Sequence, residues 1–517
     1  MMTPPEFRNE PLTDFSAAPG RRAVEDALRT VQGQLGRELP LLFGGRAVRT
    51  AETFRSLDPS QSDRVVAVVH QAGTREVEAA VGAALEAYER WRWVPAEERA
   101  ALLMRAADRL RRRRMEAVAW MAFEVGKNWA EADGDVAEAI DFAEYYAREA
   151  LRYAPGKPLP AIPGEMSEYQ YSPLGVVAVI SPWNFPMAIP MGMALAAIAC
   201  GNTVVMKPAS DSAATAHMIA EVLADAGLPP GVMNLITGPG GEVGEALVTH
   251  PQVRMIAFTG SREVGTRLFA LAAETPPGQI WLKRIIAEMG GKNAVIVDDE
   301  APLDEALDGL VASGYGYQGQ KCSAGSRVIA TPRVYGEVVE GLAERARGLA
   351  VGPAAENFPA GPVINARAEE KILEYIDIGR REGRLVAGGG RAREGGHYVA
   401  PTVFIDVAPT ARIAQEEIFG PVVAAIPARD FDDALRIANG TAFGLTGSVY
   451  SLNPDKLARA RREFMCGNLY LNRKCTGALV GTHPFGGFNM SGTDSKAGGP
   501  DYLLNFLQPR VVAHKFR

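Results

Sequence analysis

Cysteine and histidine are scarce in this sequence, and their scarcity excludes whole classes of chemistry. Four cysteines, Cys200, Cys322, Cys466 and Cys475, are spread over 517 residues without a Cys-x-x-Cys pair. Neither a disulfide framework nor a zinc site is expected, and the pattern suits a reducing, cytoplasmic setting. The six histidines are scattered, with no HExxH run and no Cys–His hydrolase pattern, so no metal is expected. An excess of one charge is also missing. With 55 basic against 61 acidic residues the net charge is −6, which argues against nucleic acid or an anionic membrane as the partner. The amino terminus carries no apolar run, so no secretory signal is expected.

What is present is ordinary globular composition, 47% hydrophobic and 22% charged, in a chain long enough for two or three subdomains. One stretch tests the membrane alternative, because no charged residue lies between Glu168 and Lys207. Pro173, Pro182, Pro186 and Pro190 divide it, so Val176–Ile180 and Thr203–Met206 read as strands buried on both faces, with 186–200 as the crossover helix. Strand signals at 232–237 and 255–258 continue the alternation and predict an open parallel α/β sheet. Before them, residues 21–110 and 129–152 read as helical stretches, and the basic cluster 111–114 reads as a solvated helix end. The proline-rich stretch 154–164 and the edge strand 167–171 predict a projecting hairpin. A strand signal at 293–297 closes the alternation, and beyond about Gly290 a second α/β pattern begins, with a helix from Pro302 and strands at 327–330, 401–406 and 422–426. The tail from Asp501 is long enough to cross the body or a neighbour.

Several residues could carry chemistry, and each also has a plain structural reading. Cys322 sits among glycines and small residues in 314–326, beside Lys321. A thiol there could be a nucleophile if donors, a base or a cation activate it, or a small buried hydrophobe. Glu288 lies between apolar runs, where an ionised carboxylate needs partners; it reads as a general base or as a solvated turn. Asn184, at the end of a central strand, could donate to an oxyanion or shape a turn. The glycines from Gly238 through Gly240 to Gly244 miss the strict G-x-G-x-x-G spacing. Phe258-Thr259-Gly260-Ser261, between a strand and a helix, suits a phosphate better. Lys207 could reach a ribose or simply begin a loop.

Pro182-Trp-Asn-Phe-Pro186, Phe258-Thr-Gly-Ser261, Glu288-Met-Gly-Gly-Lys292, Gly319-Gln-Lys-Cys322, Glu416-Glu-Ile-Phe-Gly-Pro421 and Pro484-Phe-Gly-Gly487 together resemble the aldehyde dehydrogenase superfamily, in that family's order and over nearly the whole chain. The resemblance implies an α/β fold of the aldehyde dehydrogenase kind: a Rossmann-type NAD-binding domain (1–153 and 174–289), an α/β catalytic domain (290–488), and a small β oligomerisation hairpin with a carboxyl-terminal arm (154–173 and 489–517). It implies oxidation of an aldehyde with NAD, Cys322 as nucleophile, Glu288 as base and Asn184 as oxyanion donor. The implied cofactor positions are Ile180, Ser181, Pro182, Trp183, Lys207, Ser210, Gly240, Gly244, Phe258, Thr259, Gly260, Ser261, Glu417 and Phe419. At Ser210 many NAD-preferring relatives place a glutamate; serine would not repel a 2′-phosphate, so NADP is the second cofactor in view.

Within the superfamily the chain is similar to the branch that oxidises L-glutamate γ-semialdehyde, formed from 1-pyrroline-5-carboxylate, to L-glutamate in the second step of proline catabolism. Phe7-Arg-Asn-Glu-Pro11, Gly126-Lys-Asn-Trp129, Ala137-Glu-Ala-Ile-Asp-Phe142 and Asn472-Arg-Lys-Cys-Thr-Gly-Ala-Leu-Val-Gly481 carry that likeness. It implies a substrate site of Phe185, Lys321, Ser323, Gly477, Ala478 and Phe485. It also implies a homo-oligomer, at least a dimer, with a trimer of dimers as the larger form. Succinate semialdehyde, acyl transfer to coenzyme A, and a non-catalytic role on the same scaffold are the rival readings.

Overall fold

The computed structural model describes residues 5–516. The first four residues of the amino terminus, where no signal is expected, and Arg517 of the tail lie outside the described residues. The uncharged stretch folds as a βαβ unit. Val176–Ile180 and Thr203–Lys207 are buried at every position and pair in parallel, and the apolar helix Ala188–Ala199 connects them. Among the described residues their sheet has seven strands, in the order Arg284–Glu288, Val253–Thr259, Val176–Ile180, Thr203–Lys207, Met233–Leu235, Leu41–Phe43, Arg46–Val48. The first five run parallel and the last two add an antiparallel edge. No helix among the described residues is long and apolar enough to cross a membrane.

Two expectations for the amino-terminal part need correction. Helices form at Thr74–Trp91 and Ala96–Arg112, but Arg37–Leu39, Thr53–Asp58 and Gln61–His70 form a separate three-stranded sheet. The β-branched run Val65-Val66-Ala67-Val68-Val69 suits an extended, half-buried surface better than a helix. The basic cluster does close the helix Ala96–Arg112, and Arg112 is exposed, but the other three arginines are paired with carboxylates rather than simply solvated. Arg111 bonds Glu10 and Glu144 at 3.0 Å, Arg113 bonds Glu116 and Glu221 at 2.8 Å, and Arg114 grips Asp133 at 2.6 and 2.7 Å. These contacts, with Asn9 on Asp141 and Thr13 on Asp133, pin the extended amino-terminal segment onto the long helix Trp129–Tyr153.

The second sheet also has seven strands among the described residues, in the order Arg384–Ala387, Thr402–Ile405, Val422–Pro427, Arg327–Ala330, Ala294–Val297, Thr446–Tyr450, Asn468–Leu471. Its pairs are parallel except at the Arg384–Ala387 edge. Only five residues separate Glu288, the end of the first sheet, from Ala294, the start of the second. The carboxyl ends of the first sheet's strands therefore face the amino ends of the second sheet's strands, and the loops between them share one cleft. Cys200, Cys466 and Cys475 are buried in three different hydrophobic cores.

The edge strand Glu165–Pro173 pairs along its whole length with the tail strand Leu507–Lys515, antiparallel. The proline-rich stretch before it contributes only isolated bridges, at Lys157 and Ile162. Residues 489–497 lie away from this ribbon: Ser491 and Thr493 bond the backbone at Met289 and Ala287, and Ala497 pairs with Phe485. That segment belongs to the surroundings of Glu288.

Candidate active site

In the first sheet the chain leaves Val176–Ile180 toward Thr203–Lys207 on one side and returns to Val253–Thr259 on the other. Open α/β sheets bind ligands at such a switch point. Pro182, Trp183 and Asn184 follow the first of these strands, and Gly260 and Ser261 follow the third. A cavity of about 570 Å³ is lined by these five, by Thr259, by Cys322 and by Glu417, Ile418 and Phe419 from the second sheet's side.

The walls of this cavity fit a dinucleotide. Ser261 caps the helix Arg262–Ala273, its hydroxyl accepting from Val264 N at 3.3 Å, so free N–H groups and the positive helix end point at the space beside it. Gly260 leaves no room for a side chain, since a Cβ would stand 2.5 Å from the Phe258 ring. Trp183 meets the Phe419 ring edge-on at 5.5 Å, and Phe419 is held at φ 60°, a strained backbone for a bulky residue. Glu417 accepts from Gly291 N at 2.9 Å, and burial raises its pKa. Lys207 is 5% exposed, and burial pushes its pKa down to about 8; its Nζ donates to Pro208 O at 3.0 Å. Gly244 lies against the Lys207 stem. Ser210 opens a half-buried turn just outside the cavity, where Asp211 rather than Ser210 lines the wall. Ile180, Ser181 and Phe258 adjoin the lining residues in the chain, whereas Lys207, Gly240 and Gly244 do not line this cavity, and Gly240 is exposed.

Cys322 follows a turn, Gly316–Gly319, in which Tyr317, Gln318 and Gly319 all have positive φ. Two side-chain-bearing residues in that region store strain, and the fold pays for it with buried bonds, such as Tyr317 Oη donating to Val125 O at 2.6 Å. The Asn184 amide reaches this loop, donating from Nδ2 to Gln320 O at 3.1 Å. A second hydrogen on that nitrogen is left for another acceptor. Burial pushes the Cys322 thiol up to about 12, with Glu417 and Glu288 adding to the rise and a backbone N–H of Ser323 opposing it. The neighbouring lysine does not supply the expected counter-charge, because Lys321 Nζ is bound to Glu131 at 2.6 Å.

Glu288 closes the strand Arg284–Glu288; it does not line the cavity, but its charge is felt at Cys322. Burial pushes its pKa up to about 8, against a hydrogen bond from Ser495 Oγ to Oε1 at 2.7 Å. Its Oε2 is buried without a hydrogen-bond partner among the described residues. A carboxyl with a pKa near neutrality and a free oxygen can take a proton from water.

The six substrate candidates lie outside the cavity that Cys322 and Asn184 line. Phe185 packs under a buried cation, with Lys127 Nζ 3.9 Å from its ring centroid, and Lys127 pairs with Asp135 at 2.6 Å. Ser323 is 7% exposed, and its carbonyl accepts from Thr446 and Cys475 at 3.3 Å. Gly477 adopts φ 76° at an exposed turn with Ala478, and Arg473 holds that turn through the Gly477 carbonyl. Phe485 is fixed by paired backbone bonds to Ala497.

Asn293 and Ser495 shape the site but carry no sequence signal of their own. Each is a single polar residue in an irregular stretch, and each acts on a partner far away in the chain. The glycine pair before Asn293 gives a partial hint. A Cβ on Gly290 would stand 2.2 Å from Glu417, and one on Gly291 would stand 2.4 Å from the Cys322 carbonyl, so only glycine lets this crossing strand approach both.

The chain belongs to the aldehyde dehydrogenase family, whose model matches residues 47–512. Among curated proteins it is 52% identical to a 1-pyrroline-5-carboxylate dehydrogenase of Geobacillus sp. (strain WCH70) over 511 residues, 99% of each chain. Among solved structures it superposes on 1-pyrroline-5-carboxylate dehydrogenase from Thermus with bound NAD, with a TM-score of 0.99, 52% identity and full coverage of both chains. Proline utilization A from Bdellovibrio bacteriovorus matches at 46% identity with a TM-score of 0.97, over 99% of this chain and 53% of that one.

Proposed function

We propose that this chain oxidises L-glutamate γ-semialdehyde, the open form of 1-pyrroline-5-carboxylate, to L-glutamate with NAD, as the second step of proline catabolism. The observation that carries the reading is the convergence of Cys322, Asn184 and a dinucleotide-shaped wall on one cavity. The full-length likeness to 1-pyrroline-5-carboxylate dehydrogenases supports the choice of aldehyde.

The Cys322 thiol, its pKa raised by burial, gives up its proton to solvent, and the thiolate so formed adds to the aldehyde carbon to give a thiohemiacetal. The developing oxyanion is met by the second Asn184 hydrogen and the Cys322 N–H, each such donor being worth about 3 kcal/mol. A nicotinamide bound against this wall would supply the hydride acceptor, and loss of hydride from the adduct would leave a thioester on Cys322. Glu288 then takes a proton from water, which attacks the thioester and releases the acid. Trp183 and Ser261 hold the pyrophosphate, Lys207 and Glu417 the riboses, and Phe419 the nicotinamide side. Ser210 carries no carboxylate to repel a 2′-phosphate, which favours NADP as a second acceptor, while the Asp211 carboxylate that lines the cavity opposes it. Phe185 and Phe485 flank the aliphatic chain, while Ser323, Gly477 and Ala478 bind the carboxylate, with Lys321 beside them.

The sheet change after Glu288 supports a cofactor-binding domain ending near 289 and a catalytic domain from 290. The projecting ribbon supports a homodimer, in a cytoplasmic setting. A lone two-stranded ribbon is marginal in water; this one exposes Met166 and Val511 and overhangs a groove of about 1160 Å³. A second copy seated there would cover both, and trimers of such dimers are the larger form. The Cys322→Ser variant tests the chemistry: NADH formation should vanish while NAD still binds. Turnover at the wild-type rate would remove Cys322 from its role.

A further inference from the structure

Glu288 is held by a segment that the proposed reaction does not yet use. Residues 491–495 run against the end of its strand: Met289 N donates to Ser491 O at 2.7 Å, Thr493 N donates to Ala287 O at 2.9 Å, and Ala287 N donates to Thr493 Oγ1 at 3.1 Å. A β-bridge joins Glu288 itself to Gly492. The glycines fit the carboxyl closely, because a Cβ on Gly492 would stand 3.0 Å from Oε2 and one on Gly486 would stand 3.1 Å from Oε1. At the end of this clamp Ser495, 9% exposed, donates its hydroxyl to Oε1. Oε1 is thereby occupied, and Oε2 is the oxygen without a partner among the described residues.

We propose that Ser495 is a positioning residue for deacylation: its hydroxyl fixes the Glu288 carboxyl by one oxygen, leaves the other free for the attacking water, and stabilises the ionised form that accepts the proton. This rests on Glu288 being the base in the reaction above. A donated hydrogen bond favours the charged carboxylate, so removing it makes Glu288 harder to ionise. The other titratable groups that face Glu288 are Lys496, which favours its ionised form, and Cys322 and Tyr502, which feel its charge. None of them donates to Oε1. The backbone N–H groups of Ser495 and Gly487 also favour the ionised form, but the serine hydroxyl is the side chain that both holds Oε1 and favours its charge.

The test is the full-length enzyme with Ser495→Ala, Ser495→Thr and Glu288→Gln, followed by rapid mixing with aldehyde and NAD and by steady-state rates from pH 6 to 10. Ser495→Ala should keep the amplitude and rate of the first NADH burst, because acylation does not use the base. Its steady-state rate should fall about tenfold near pH 7 and recover in alkali, the acid limb moving up by about one pH unit. Ser495→Thr, which keeps the hydroxyl, should restore the wild-type limb. A Ser495→Ala enzyme with an unmoved limb, or one whose burst and turnover fall together at every pH, overturns the proposal. Unimpaired turnover in Glu288→Gln instead overturns the reading of Glu288 as base, so the two failures are told apart.

Discussion

Asn293 clamps the Cys322 loop. Its Nδ2 donates to the Cys322 carbonyl at 2.7 Å and to the Ala324 carbonyl at 2.9 Å, while its Oδ1 accepts from Thr446 N at 2.9 Å. One amide thus ties the cysteine turn to the strand Thr446–Tyr450 and uses its full reach to do so. Asn293→Ala leaves the Cys322 carbonyl and the Thr446 N–H unpaired, each costing about 1–3 kcal/mol, while the Ala324 carbonyl keeps the Ser326 N–H. The expected outcome is a lower melting temperature together with a kcat loss of tenfold or more, checked by thermal melts and steady-state NADH assays. An active, stable Asn293→Ala enzyme would show that the turn holds itself.

As the proposed base, Glu288 should set the pH dependence. Its pKa is about 8, raised chiefly by burial, and a base acts only when ionised. Hydrolytic turnover should therefore rise from pH 6 and level off above about pH 8, with the sign fixed by loss of the proton. Glu288→Gln should give one burst of NADH followed by slow turnover, and stopped-flow absorbance reads both phases. Steady-state turnover in that variant equal to the wild type would mean another base.

Lys127 and Asp135 are both 0% exposed and sit beneath Phe185. Burial lowers the lysine's pKa and raises the aspartate's, so each depends on the other to stay charged. Lys127→Met alone should destabilise the protein by about 3–5 kcal/mol, because it strands a buried carboxylate. The double change Lys127→Met with Asp135→Asn should recover much of that loss. Chemical denaturation of the single and double variants measures the coupling, and equal losses in both would contradict it.

The parts legible in the sequence are those whose physics is local. The uncharged βαβ stretch announces itself by two fully apolar strands with a crossover helix between them, and Cys322, Glu288 and Asn184 are recognisable from the short motifs around them. The sheet at 37–70 is not legible in the same way, because Arg37–Leu39 is three residues long and gains its identity only by pairing with Gln61–His70. The Arg111–Arg114 cluster reads as surface until its carboxylate partners at Glu10, Asp133 and Glu144 are known. Ser495 and Asn293 are lone polar residues without periodicity. Ser495 meets Glu288 across 207 positions, a distance that no window along the chain spans.

The account's central claim is the identity of the aldehyde, and a steady-state NADH assay tests it most directly. L-Glutamate γ-semialdehyde in equilibrium with 1-pyrroline-5-carboxylate, succinate semialdehyde and a simple aliphatic aldehyde would be compared on the same enzyme with NAD, and again with NADP. The highest kcat/KM is expected for the γ-semialdehyde, because it alone carries an α-amino group beside its carboxylate and holds that carboxylate one carbon farther from the aldehyde than succinate semialdehyde does, where Ser323, Gly477 and Ala478 are proposed to bind it. A kcat/KM for succinate semialdehyde or the simple aldehyde equal to or above it would contradict the account.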